Sequence, residues 1–161
     1  MAIYFGDNSI QSFSAKIIQV KRVLRTTQYI TNSGSMGSVT SMDFTPKANS
    51  STIHCQLSGV FYTEQEPGGL RGRFYDVTDG NRFGLGLHSS EDPLLFRQDL
   101  QNLSNGGSYS YCGGLWRAQE ASWGATNQKN IAFQIAQANN GYVGFISEFM
   151  PATFTITEVM E

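Results

Sequence analysis

Apolar and polar side chains alternate along most of this chain. The clearest run is Thr52 to Thr63, with Ile53, Cys55, Leu57, Gly59 and Phe61 on one face and His54, Gln56, Ser58, Val60 and Tyr62 on the other. A period of two predicts a half-buried antiparallel strand. Gly59 interrupts the apolar face, which predicts a bulge or a close neighbour there. Shorter runs repeat the pattern. Ala15 to Leu24 sets Ile18, Val20 and Leu24 on one side, and Leu70 to Val77 alternates Arg71, Arg73 and Tyr75 with Gly72, Phe74 and Asp76. Leu115 to Glu120 pairs Trp116 with Ala118, Asn130 to Gln137 groups Ile131, Phe133 and Ile135, and Ala152 to Val159 sets Phe154 and Ile156 against Thr153, Thr155 and Thr157. Val39 to Phe44, Arg82 to Leu87 and Tyr142 to Ser147 complete the set, with hairpin signals at Asp79-Gly80 and Asn139-Asn140-Gly141.

About nine short strands with alternating faces need two sheets to bury their inner sides. The expected fold is therefore all-β, an antiparallel β-sandwich of jelly-roll type. At most one short helix is expected, over Pro93 to Leu103, where Leu94, Leu95, Leu100 and Leu103 form a stripe. Residues 15–161 read as a single domain. Residues 1–14 read as an arm without strand character, whose apolar anchors Phe5, Ile10 and Phe13 pack on a neighbour.

Composition narrows the function classes. Charged residues are 15% of 161, against about 25% in an average chain. The net charge of −2 gives no long-range pull on nucleic acid or anionic lipid. No run of 18 apolar residues occurs, so membrane insertion is not expected. The start lacks a secretory pattern, so synthesis in a cytosol is expected, with Cys55 and Cys112 as reduced thiols. Charge is uneven. Residues 1–50 carry five bases (Lys16, Lys21, Arg22, Arg25, Lys47) against two acids, +3, and the remainder carries six bases against eleven acids, −5. Lys21 and Arg22 point to opposite faces of a strand, so the cluster reads as the guard of a solvated edge rather than a nucleic-acid stripe.

Reactive constellations are scarce. His54 and His88 lack a nucleophile elbow. The carboxylate pairs Glu64 with Glu66, Asp76 with Asp79, and Glu91 with Asp92 sit at strand ends or turns, where acids are ordinary. Asp76 to Asn81 offers oxygen ligands for calcium, but a plain hairpin turn is favoured. No catalytic residue, metal or cofactor is expected. Tyr109, Tyr111, Trp116 and Trp123 lie between Gly-rich and Ser-rich stretches. They suit stacking on a sugar or anchoring a protein partner, but core packing or burial between subunits is favoured.

Four segments carry a resemblance. Ala2-Ile3-Tyr4-Phe5-Gly6-Asp7-Asn8-Ser9-Ile10-Gln11-Ser12 resembles the F-x-D-G-(S/T)-x-Q opening of tail-fibre and other virion proteins of tailed phages, cyanophages among them, with Asn8 in place of the usual glycine. Ala15-Lys16-Ile17-Ile18-Gln19-Val20 is similar to their first strand. Phe44 to Ile53 is similar to their I-T-P-x-x-x-S-S-K-I turn, and Ala152 to Val159 resembles their closing S-T-(I/F)-T-(I/L)-x-E-(I/V) strand. The resemblance implies a non-enzymatic virion module, assembled in the host cytoplasm, that contacts other virion proteins and itself, with a trimer favoured, and binds a host surface glycan or protein. Receptor preference is expected in the unmatched middle, residues 64–126. A capsid decoration or cement protein is the alternative within the same class. A free carbohydrate-binding module using Tyr111, Trp116 and Trp123 is the alternative outside it.

Overall fold

A computed structural model describes the backbone at residues 2–4, 10–12, 15–64, 69–83, 96–99, 109–137, 141–145 and 151–160, and the side chains over 15–63, 69–83, 115–137, 141–145 and 151–160. Its strands are β1 (Ala2–Tyr4), β2 (Ile10–Ser12), β3 (Lys16–Arg25), β4 (Tyr29–Thr31), β5 (Gly37–Phe44), β6 (Ser51–Glu64) and β7 (Gly69–Asp76). They continue with β8 (Asn81–Arg82), β9 (Phe96–Asp99), β10 (Tyr109–Ala121), β11 (Lys129–Gln137), β12 (Tyr142–Phe145) and β13 (Ala152–Met160).

The chain passes from sheet to sheet. One sheet runs β3-β13-β6, with β10 on the other side of β6; past the end of β13, β12 and then β4 continue from β6. The second runs β5-β11-β7, with β8 and β9 sharing the far edge of β7. In chain order the main strands fall first, eighth, third, sixth in one sheet and second, seventh, fourth, fifth in the other. That interleaving is a jelly-roll β-sandwich, as the alternating pattern predicts.

The core sits where the inward faces meet. Ile53, Cys55, Leu57 and Phe61 on β6 are buried alternately, as the period of two requires. Phe61 lies edge-on to Trp116 of β10 at 4.8 Å between ring centroids, and 5.8 Å from Phe133 of β11 in the opposite sheet. Phe74 of β7 bridges to Phe133 at 5.1 Å and stacks on Phe154 of β13 at 5.8 Å. Six aromatic rings from both sheets thus interlock, counting Phe145 beside Phe61. Gly59 forms no bulge in its ladder with β10. It marks a close neighbour instead: a Cβ there would meet Phe145 Cε2 at 3.1 Å and Ala152 Cβ at 3.2 Å. Gly80 has φ 69° and closes the β7–β8 hairpin, a conformation that favours glycine.

Four expectations need correction. Phe96–Asp99 is a strand, not part of a helix: it pairs antiparallel with Gly69 to Gly72 on an edge of β7, and that ladder overrides the leucine stripe. The remaining residues of the expected helix lie outside the described residues. The stretch 1–14 is not strandless, since β1 and β2 pair as a ribbon apart from both sheets. β4 was not expected, because three residues are too short to show a period. The fourth concerns β3. Its register with β13 shifts between Glu158 and Val159. Gln19, Lys21 and Val23 pair with the inward Glu158, Ile156 and Phe154, so Val20 and Leu24 face outward, and the shift sets Ile17 on that outward face as well.

Candidate functional site

The inverted face of β3 has a physical cause. On β13, Ala152, Phe154, Ile156 and Glu158 share the inward parity, so an acid occupies a core position. Glu158 is 0% exposed. A buried carboxylate is tolerated only with donors around it. Here Gln19 Nε2 donates to its Oε2 at 2.7 Å, Ser51 Oγ to Oε1 at 2.7 Å, the Lys47 N–H to both oxygens at 2.9 Å and the Ala48 N–H to Oε1 at 2.9 Å. Burial pushes the carboxyl pKa up, but the bonds from Ser51, Lys47, Ala48 and Gln19 outweigh it, and the net value lies below the ordinary glutamate range. Gln19 also donates to Thr45 O at 2.7 Å. Because Gln19 must face inward to reach Glu158, the neighbouring apolar residues of β3 face out.

Three of the four segments that carry the resemblance therefore meet at one carboxylate. The first strand supplies Gln19, the turn after β5 supplies Lys47, Ala48 and Ser51, and the closing strand supplies Glu158. The turn is held from the other side by Ser122 Oγ, which donates to Ala48 O at 2.7 Å, and by the Ala125 N–H on Asn49 Oδ1 at 2.8 Å.

The outward face of the same sheet is the candidate interaction surface. Ile17, Val20 and Leu24 are 62%, 54% and 52% exposed. Beside them in register stand Val159, Thr157, Thr155 and Thr153 of β13, then His54, Gln56 and Ser58 of β6, then Leu115, Arg117 and Gln119 of β10. Arg22 and Arg117 are the arginines of this face, and Arg22 Nη2 lies 3.5 Å from Thr153 Oγ1. An open hollow of about 670 Å³ lies on it, lined among others by His54, Gln56, Arg117, Gln119, Thr157 and Val159. Lys21, on the inward side, closes the edge of the sandwich by donating to Asp43 O at 3.1 Å.

The other sequence candidates fall elsewhere. Trp116 is 9% exposed, in the core. Trp123 is half-buried, edge-on to Phe44 at 6.1 Å and Phe83 at 6.3 Å, with Nε1 donating to Asn127 O at 2.7 Å. The side chains of Tyr109 and Tyr111 lie outside the described residues, as do those of Phe5, Ile10 and Phe13. His88, Glu66, Glu91 and Asp92 and the side chain of Glu64 are outside them too. Asp76 and Asp79 do converge, but on an ammonium: Lys129 Nζ lies 2.8 Å from Asp76 Oδ2 and 2.6 Å from Asp79 Oδ2. Asp76 Oδ1 accepts the N–H groups of Thr78 and Asp79 at 2.9 and 3.2 Å. The loop is a hairpin turn tied by Lys129. It borders a polar hollow of about 710 Å³ that also takes in Arg82 and Glu120. Among the described residues no group of three or more His, Cys, Asp or Glu could hold a metal ion.

Sequence reasoning missed the Glu158 cage as a site. The available signal was an acid at core parity, two residues past Ile156.

No protein-family model matches the chain, and no curated protein matches it. Solved structures similar to it include the infectious bursal virus derived T=1 particles, at 13% identity and TM-score 0.40, covering 99% of this chain and 42% of that one. The infectious bursal disease virus VP2 subviral particle aligns at 13% identity and TM-score 0.39, covering 99% and 43%. The chain spans about two fifths of the length of these structures. Identities and scores of this size assign no family.

Proposed function

We propose that the chain is a non-enzymatic structural module of a phage virion, a short tail fibre or its tip domain, that assembles with copies of itself and with other virion proteins. One observation carries the reading. The segments that resemble phage virion proteins are remote in sequence, yet Gln19, Lys47, Ala48, Ser51 and Glu158 form a single hydrogen-bonded unit. Segments that build one substructure are stronger grounds for kinship than scattered matches. The outward row of Ile17, Val20 and Leu24 supports assembly, since an apolar strip on an edge strand is stabilised when another subunit covers it. In this reading the arm of residues 1–14 contacts a neighbour, assembly is trimeric, and host contact belongs to residues 64–126.

Gold-labelled antibody against the chain, applied to intact particles, tests the proposal. Label at the tail is the expected result. Label over the head makes the chain a decoration protein, and particles without label refute the virion role.

A further inference from the structure

A sheet edge presents unpaired N–H and C=O groups, and proteins guard such edges with charge, bulges or shortness. The edges of this sandwich differ in that respect. β3 carries Lys16, Lys21, Arg22 and Arg25. β5 is interrupted by a register shift opposite Phe133 and Gln134. β4, β8 and β9 have three, two and four residues. β10 has 13 residues, contains neither proline nor lysine, and keeps one unbroken register with β6 from Tyr109 to Ala121. Among the described residues it is paired on that side alone. Leu115, Arg117, Gln119 and Ala121 are exposed along it.

We propose that β10 is a self-association edge: β10 of a second copy lies antiparallel against it, about a two-fold axis through Leu115. The full 13-residue length pairs only in that register, which sets Tyr109 opposite Ala121 of the second copy. The sequence fits itself in this arrangement. Leu115 meets Leu115, an apolar pair on the exposed face. Trp116 stands opposite Gly114 and Arg117 opposite Gly113, so these two bulky residues face glycines. Glu120 stands opposite Ser110, and no like charges oppose. Displacing the axis to Arg117 or Glu120 would set two arginines or two glutamates face to face, which opposes pairing. Two adjacent glycines inside a long strand weaken it and often mark a place where another backbone approaches closely; the second copy supplies such an approach. The occupant is therefore another copy of this chain rather than an unrelated strand.

This inference extends the self-association within the proposed function. An isologous edge pair closes on two copies, so a trimer would use a different surface. The test uses the full chain. Leu115→Cys places a thiol on the axis, where antiparallel partners have Cα atoms roughly 4.5–5.5 Å apart, within the range of a disulfide. A reduction-sensitive covalent dimer is expected. Arg117→Cys, whose symmetry mate is about 14 Å away, stays unlinked. In sedimentation, Leu115→Lys raises the dimer dissociation constant about tenfold, while Ile30→Lys, exposed on β4 on the other side of β6, leaves it unchanged. A wild-type chain that stays at 17.8 kDa up to about 100 µM overturns the inference, along with self-association in solution. Assembly that survives Leu115→Lys, with no link through Leu115→Cys, overturns the β10 edge alone and leaves the virion reading to the particle labelling.

Discussion

Glu158→Gln is nearly isosteric, so its cost measures the hydrogen-bond cage rather than a cavity. The groups around the carboxylate are all donors: the amide of Gln19, the hydroxyl of Ser51 and the N–H groups of Lys47 and Ala48. A glutamine can offer its oxygen to one side only. Its amide N–H₂ then confronts either Gln19 or the Ser51–Ala48 pair. Gln19 cannot simply turn over, because its Nε2 also serves Thr45 O. Bonds to a charged acceptor contribute roughly 1.5–3 kcal/mol each. At least one is lost and the others weaken, offset partly by removing a buried charge. The expected loss is about 2–4 kcal/mol, or roughly 4–16 °C in Tm for a chain of this length. The pH dependence separates this cause from general misfit. The folded-state pKa of Glu158 lies below its unfolded value of about 4.3. Its stabilisation is therefore present above that pH and is lost as pH falls through the folded-state value. Urea denaturation of both forms at pH 7 and at a pH below about 4 should show the gap narrowing on acidification. An equal gap at both pH values, or one under about 0.5 kcal/mol at pH 7, refutes the cage as a source of stability.

The lysine of the β7–β8 turn can be tested by pairwise replacement. Lys129→Met leaves the buried Asp76 carboxylate without its ammonium and should cost about 2–3 kcal/mol, largely recovered in Lys129→Met/Asp76→Asn; a thermal-denaturation cycle with no recovery contradicts the pairing. Although burial pulls the Lys129 pKa down, the hydrogen bonds and charges of Asp76 and Asp79 raise it overall. Its contribution is thus complete below about pH 10.4 and fades as pH rises through the folded-state value, which alkaline denaturation of the wild type against Lys129→Met would reveal. Burial first, and then the charge of Glu120, push the Cys55 thiol well above its ordinary pKa. Peptide-resolved alkylation at pH 8 should find Cys55 unmodified in the native chain and modified only in denaturant, while stability falls as pH rises beyond about 8.5. Phe61→Ala opens the centre of the interlocked rings and should cost about 3–5 kcal/mol by urea titration; a loss below about 1 kcal/mol means that the rings repack.

The alternation along β6, β7, β10, β11 and β13 was legible because each strand has one face in the core and enough length to show a period. From that came the all-β class and the sandwich. Trp116 and Trp123 were not decidable from sequence, since an aromatic residue between polar stretches has the same pattern whether it meets a sugar or a phenylalanine. Tertiary structure placed both in the packed region around Phe61 and Phe44. Likewise Phe96–Asp99 had the spacing of a helix and became a strand because β7 offered an open edge. The direction in which β3 faces depended on Glu158, 139 positions from Gln19 in the chain. Local periodicity reports that one side of a strand differs from the other. Which side turns inward depends on the polar partners waiting there, and those are assembled only when remote segments fold together.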